Sequence, residues 1–157
     1  MPKDSGIGAP SKRREDVRFL TGAGNYTDDI NVAGQKHVFF LRSSVAHGNL
    51  NKVDTAAAAA MPGVVHIFTG DDFAEIGGLP CGWQIHSRDG EPMAEPPHPV
   101  LARGKVRHVG DPIAAVVADS VEQARDAAEA IELDIEELPA VVDMTDAISG
   151  NAAQVHE

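Results

Sequence analysis

The chain is short of cysteine, of aromatic residues and of positive charge, and each shortage closes off a class of function. A single cysteine, Cys81, in 157 residues leaves no intrachain disulfide to form and fits a reducing compartment. Aromatic side chains are 4% of the residues, so Val, Ile, Leu and Ala must fill the core. Thirteen Lys and Arg stand against 24 Asp and Glu, for a formal charge of -11. A surface of that sign disfavours nucleic acid and anionic membrane, both of which need clustered cations. The one cationic run, Lys12-Arg13-Arg14, is followed at once by Glu15-Asp16 and reads as a salt-bridged surface patch. No apolar stretch approaches the roughly 18 residues of a membrane span. The opening Met-Pro-Lys-Asp-Ser-Gly also lacks the apolar core of a secretory signal. Together these absences predict a soluble, cytoplasmic protein.

What is present reads as one ordinary domain, 43% apolar and 24% charged. Residues 1–36, rich in Gly, Asp and Arg, predict an extended arm with turns at Gly22-Ala23-Gly24 and Val32-Ala33-Gly34. Strand signals follow over residues 37–43, around Val38-Phe39-Phe40-Leu41, and over residues 64–69. Between them, Asp54-Thr55 offers an N-cap to a helix over residues 56–61, stopped by Pro62-Gly63. Residues 71–75 predict one helical turn with acids at its positive end.

Residues 77–99 hold four glycines and five prolines, which predicts a long loop, a feature that is usually functional or covered by a partner. The run Val106-Arg107-His108-Val109-Gly110-Asp111-Pro112 predicts a tight turn into an apolar strand, Ile113–Ala118. With no polar residue in it, that strand is expected to be covered on both faces, in a mixed or parallel sheet. Ser120, with Gln123 at the capping-box position, starts a helix with Val121, Ala124, Ala128 and Ile131 on its apolar face. A strand follows with Leu133 and Ile135 inward and Glu132, Asp134 and Glu136 outward. Residues 140–142 suggest one more short strand, and residues 149–157 show no anchor. The expectation is an α+β domain over residues 37–148, a mixed sheet with helices packed on it, built from two strand-helix-strand units between arm and tail.

Searching for chemistry returns no assembled site. Gly22-Ala23-Gly24 has Thr27 where a dinucleotide loop needs its third glycine, and no strand precedes it. Gly104-Lys105 lacks the spacing of a phosphate loop and has Val106 where Ser or Thr should stand. None of His37, His47, His66, His86, His98, His108 and His156 falls in a recognised metal spacing, and Glu95-x-x-His98 sits among prolines rather than on a helix. Cys81 with His86 and Asp89 is the nominal nucleophilic set, but nothing nearby lowers the thiol pKa. The acid pairs Asp28-Asp29, Asp71-Asp72 and Glu136-Glu137 read as solvated surface.

Several segments, taken in order, carry a family likeness. They begin with Arg14-Glu15-Asp16-Val17-Arg18-Phe19-Leu20-Thr21-Gly22, Gly24-Asn25-Tyr26 and Asp28-Asp29-Ile30. Leu41-Arg42-Ser43, Ala46-His47 and Pro62-Gly63-Val64-Val65 follow, then residues 106–118 and Leu138-Pro139-Ala140-Val141-Val142-Asp143. This series resembles the opening of the molybdopterin-binding large subunits of the xanthine dehydrogenase and aldehyde oxidase family, most of all its carbon monoxide dehydrogenase branch.

The resemblance implies the family's amino-terminal a/b hammerhead domain, within an oxidoreductase whose large subunit holds a molybdenum-molybdopterin cofactor. It also implies partner subunits carrying FAD and iron-sulfur clusters. The family's cofactor-binding segments, copper-ligating cysteine and glutamate base lie beyond this domain, so no catalytic, cofactor-binding or metal residue carries over, and the isolated chain is expected to be inactive. Where the family commonly shows Arg-Ser-Pro before Ala-His-Ala, this chain has Ser44 at the proline and Gly48 at the last alanine. Two functions of different class are open: the hammerhead part of a molybdenum hydroxylase, as split subunit or fragment, or a freestanding binding or scaffolding domain without enzyme activity.

Overall fold

A computed structural model describes residues 6, 7, 9 and 13–156, and the chain divides into two compact units, Met1–Gln35 and Lys36–Glu157. Lys12, of the basic cluster, lies outside the described residues.

The first unit is not simply extended. Asp16–Leu20 form a short helix, α1, with Arg13 Nε donating to Asp16 Oδ1 at 3.1 Å, the salt bridge the charge pattern predicts. Gly22, at φ +72°, turns the chain out of α1. Phe19 then stacks on Tyr26 with ring centroids 5.4 Å apart. Gly24 lies beneath that stack, where a Cβ would meet Phe19 at 2.7 Å. A 3-10 turn over Thr27–Asp29 closes on the Asp29 carboxylate, which accepts from the Tyr26 amide at 2.8 Å. Low hydrophobic periodicity hid α1, which is held by local pairs and rings rather than by a long apolar face.

Among the described residues, the second unit contains six strands: β1 (His37–Arg42), β2 (Gly48–Asp54), β3 (Val64–Thr69), β4 (Lys105–Val106), β5 (Pro112–Ala118) and β6 (Glu132–Glu137). They form two three-stranded sheets, β1-β5-β3 (sheet 1) and β4-β2-β6 (sheet 2). Every ladder is antiparallel. The α+β class holds, but the expected mixed sheet is two antiparallel ones. β2, which intervenes before the helix, turns the predicted strand-helix-strand segment over residues 37–69 into strand-strand-helix-strand. Its sequence, Gly-Asn-Leu-Asn-Lys-Val-Asp, has little strand propensity, and pairing along β6 overrides that.

Helices close one face of sheet 1. α2 (Ala56–Ala59) is capped by Asp54, whose Oδ1 accepts from the Ala56 amide at 3.1 Å, and Gly63 (φ +82°) turns the chain into β3. α3 (Val121–Glu129) starts at Ser120, whose hydroxyl accepts from the Gln123 amide at 3.2 Å. Ala124, Ala127 and Ala128 of α3 pack with Ala58, Ala114, Val116, Ala118 and Ile131 to make the first core. Val121, expected on that face, is 44% exposed. It stands at the first position of the helix and is not part of the core cluster. A second core of Leu50, Ala102, Val106 and Ile113 lies against sheet 2, and Val53 and Leu133 pack against both.

Two connections differ from what the sequence predicts. The helical turn predicted over residues 71–75 is a 3-10 turn, Gly70–Phe73. Residues 140–142 form no strand. A short helix, α4 (Met144–Ala147), follows instead, capped by the Asp143 carboxylate on the Thr145 amide at 2.7 Å. No described helix is long and apolar enough to cross a membrane.

Candidate functional site

The turn that enters β5 is tied by backbone bonds to the end of β1. Gly110, at φ +91°, donates its N–H to the Ser43 carbonyl at 2.8 Å, and Ser43 N–H returns to the Asp111 carbonyl at 2.9 Å. The Asp111 carboxylate accepts from the Arg107 amide at 2.9 Å, and Arg42 Nη1 donates to the Gly110 carbonyl at 2.9 Å. Asp111 is buried, and such a charge needs these donors. Pro112 supplies no N–H, and its carbonyl accepts from the Ala102 amide at 2.6 Å.

His47 makes a second tie. It is 4% exposed, its carbonyl accepts from the Leu138 amide at 2.8 Å, and its Nδ1 lies 2.8 Å from the Pro139 carbonyl oxygen. A carbonyl can only accept, so Nδ1 carries the hydrogen of this contact. His47 Nε2 and Arg107 Nε are buried without a hydrogen-bond partner among the described residues, an unusual condition for buried polar atoms.

Two adjoining hollows flank the turn. One, of about 270 Å³, lies between Pro96-Pro97-His98-Pro99 and Arg107, His108 and Asp111, with His156 on its wall. The other, of about 320 Å³, is mostly apolar and shares Arg107 and His108. His47, Val142 and Val155 also line it, so the carboxy-terminal tail, without a visible anchor in sequence, runs along this groove. Segments singled out separately in the sequence, Leu41-Arg42-Ser43, Ala46-His47, residues 106–112 and Leu138-Pro139, thus converge in space. Gly48 is fitted to the same place: a Cβ there would meet Ile135 Cγ2 at 2.7 Å and the Glu136 carbonyl at 2.9 Å.

The other candidates are not brought together. Residues 74–104 contain no helix or strand, only isolated bridges Gly78–Pro99 and His86–Pro92. In that loop the Cys81 thiol donates to the Trp83 carbonyl at 3.3 Å, and the Asp89 carboxylate accepts from the Ser87 hydroxyl. Neither bond joins Cys81 to His86 or His86 to Asp89. Among the described residues no three His, Cys, Asp or Glu side chains converge as a metal set.

The acid pairs have structural partners. Asp71 meets Arg103 Nε at 3.0 Å, and Glu136 accepts from Asn49 at 2.9 Å. The Asp72 carboxylate accepts from the Thr69 amide at 2.6 Å, and that bond holds it below the usual aspartate range. In the same way the Ser87 hydroxyl lowers Asp89. The glycines of Gly22-Ala23-Gly24 follow a helix rather than precede one.

Such a domain, with two small antiparallel sheets, helices on one of them and a groove built from backbone ties, defines a class of α+β scaffold. Residues 21–139 match the family described as "Aldehyde oxidase and xanthine dehydrogenase, a/b hammerhead domain", and the chain belongs to that molybdenum-hydroxylase family. It is 39% identical over 145 residues to the nicotine 6-hydroxylase large subunit of Paenarthrobacter nicotinovorans, a match that takes in 92% of this chain and 17% of that protein. Against the carbon monoxide dehydrogenase large chain of Hydrogenophaga pseudoflava it is 38% identical over 144 residues, again 92% of this chain and 17% of the relative. The crystal structure of quinoline 2-oxidoreductase from Pseudomonas putida 86 superposes with a TM-score of 0.77 at 40% identity, covering 93% of this chain and 18% of that one. The chain therefore spans under one fifth of the length of these relatives.

Proposed function

We propose that this chain supplies the hammerhead scaffold and subunit contacts of a cytoplasmic molybdenum hydroxylase, and that residues 37–148 are the hammerhead domain, with residues 1–36 as its arm and 149–157 as its tail. The molybdenum-molybdopterin group is held by a partner polypeptide, and FAD and iron-sulfur clusters belong to further subunits of the same complex. The observation that carries this is the convergence of the family-like segments. Where they meet at the groove they make folding contacts: Ser43 and Gly110 with each other, Asp111 with Arg107 N and His47 Nδ1 with Pro139.

The described residues offer no fit for the molybdenum-pterin group. The one thiol is on an exposed loop and donates to a carbonyl, and the histidines of the groove do not converge with a third ligand. No reaction step is assigned to this chain. The test is recovery of the tagged chain from its native source with metal analysis of what accompanies it. The expected result is a molybdenum-containing polypeptide in fixed stoichiometry, with no oxidoreductase activity from the chain alone. A chain recovered without molybdenum, or active by itself, overturns the reading.

A further inference from the structure

β5 is the middle strand of sheet 1, and its two faces meet different surroundings. Ala114, Val116 and Ala118 point into the first core beneath α3. The opposite face carries Ala115 and Val117, in register with Phe40 and Val38 of β1 on one side and with Phe68 and His66 of β3 on the other. Near Pro112 this face runs under the second core, where Ile113 is 0% exposed. Beyond that point it opens: Val38 is 53% and Phe40 44% exposed. Val117 and Phe68 are half-buried. His66 sits edge-on to Phe68 at 4.4 Å between ring centroids, and Phe73 extends the aromatic surface at 5.7 Å.

The charge of this face runs against that of the molecule. In a chain with 24 acids, none of its outward strand positions is acidic. Its ionisable groups on the strands are His66 and Arg42, whose guanidinium lies 5.6 Å over the Phe40 ring. At its edges the Asp119 carboxylate is paired with Lys36, and the Asp72 carboxylate is taken up by the Thr69 amide. An apolar centre whose bordering carboxylates are already paired and whose Arg42 stands at the rim, on a chain of formal charge -11, has the composition of a contact surface rather than of a solvated one.

We propose that the outer face of sheet 1 is the seat of the molybdenum-cofactor-bearing polypeptide, which presents to it an apolar patch edged by a carboxylate that pairs with Arg42. This rests on the reading of the chain as part of a molybdenum hydroxylase. One observation favours this occupant over a second copy of the chain: more than four fifths of the length of the relatives lies outside the matched segment, so a large body of polypeptide must meet this domain in such an assembly.

The experiment uses the tagged full chain recovered from its native source, with retained molybdenum as the readout. Wild type retains molybdenum. The double variant Val38→Glu with Phe40→Glu retains less by about tenfold or more, because it buries unpaired carboxylates at the centre of the contact. Asp134→Lys, on the outer face of sheet 2, retains the wild-type amount. A folded double variant, judged by its circular dichroism melt, that keeps wild-type molybdenum overturns the docking face and leaves the proposed function standing. Wild type without molybdenum overturns the proposed function, and the docking face with it. Hydroxyl-radical footprinting of the wild-type chain gives an answer that does not depend on a variant's folding. Oxidation of Phe40 and Phe68 falls severalfold in the molybdenum-containing complex relative to the free chain, and unchanged oxidation overturns the proposal.

Discussion

Sheet 1 and sheet 2 have the same strand count and the same antiparallel pairing, yet their outer faces are opposites. On sheet 2, β6 turns Glu132, Asp134 and Glu136 to solvent, where Asn49 and Lys52 stand across from Glu136 and Asp134 in the ladder. On sheet 1, β5 turns Ala115 and Val117 outward between the aromatic and aliphatic side chains of its neighbours. A three-stranded sheet needs only one apolar face to fold on, and sheet 2 shows the minimum. Beyond Ile113, which the second core covers, the outer face of sheet 1 stays apolar where sheet 2 turns charged residues outward.

The strongest way to break the comparison is at Ile113, where the outer face of sheet 1 passes beneath the second core. Ile113 is fully buried with Leu50, Ala102 and Val106, so Ile113→Ala removes apolar contacts and leaves a cavity that couples both sheets. The expected loss is about 2–5 kcal/mol in urea unfolding, with a single transition if the two sheets fold as one unit. Two transitions would show that the second core is separable.

What could be read from the sequence follows from where periodicity is strong. β1, β3, β5, α3 and β6 are each announced by apolar spacing and by a turn or cap at their ends, and Ser120 caps α3 as its position predicts. β2 was not legible, because Asn49, Asn51 and Lys52 disfavour a strand and only the partner β6 makes one. Residues 140–142 erred the other way: Val141 and Val142 have strand propensity, but Pro139 precedes them and Val142 is left 91% exposed. The unbroken apolar run of β5 predicts cover on both faces: Ala114, Val116 and Ala118 are buried on one face and Ile113 and Ala115 on the other, but Val117 is only half-buried, and the sheet is antiparallel rather than mixed or parallel. The groove was the least legible, since Ser43, His47, Asp111 and Pro139 are far apart in sequence and their meeting is a property of topology. Only the ordered series of family-like segments hinted at it.

A smaller perturbation separates the covered face of sheet 1 from sheet 2. α3 lies over β1 and β5, and its first turn depends on the Ser120 hydroxyl accepting from Gln123 N at 3.2 Å. Ser120→Ala should cost about 1 kcal/mol. Native-state hydrogen exchange should speed up in α3 and sheet 1, with β2 and β6 less affected. Equal acceleration in both sheets would mean that α3 stabilises the whole unit rather than its own sheet.

The smallest effect is electrostatic, and it touches each sheet at one aspartate. Asp54, at the end of β2, is held below its ordinary 3.8 first by the Lys52 ammonium that donates to it and then by the Ala56 amide. Asp72, just past β3, is held below 3.8 chiefly by the Thr69 amide. A carboxylate lowered in the folded state contributes stability that is fully present above its unfolded value and is lost as pH falls through the folded one. The window is therefore below 3.8 for both. Lys52 is raised above 10.5 by the same Asp54 bond, so its share is present below that value and lost only as pH rises through its folded value.

Asp72 is solvent-exposed and Asp54 partly so, which screens the interactions and keeps each contribution small. Asp54→Asn and Asp72→Asn should each lower the urea midpoint slightly at about pH 7, by less than Ser120→Ala does, and the deficit should shrink as pH is brought from about 5 to about 3. Because the Asp54 interaction is an ion pair while the Asp72 one is to a backbone amide, added salt should reduce the Asp54→Asn deficit more than that of Asp72→Asn. If both deficits persist unchanged at about pH 3, these aspartates act through packing or turn geometry, not through their charge.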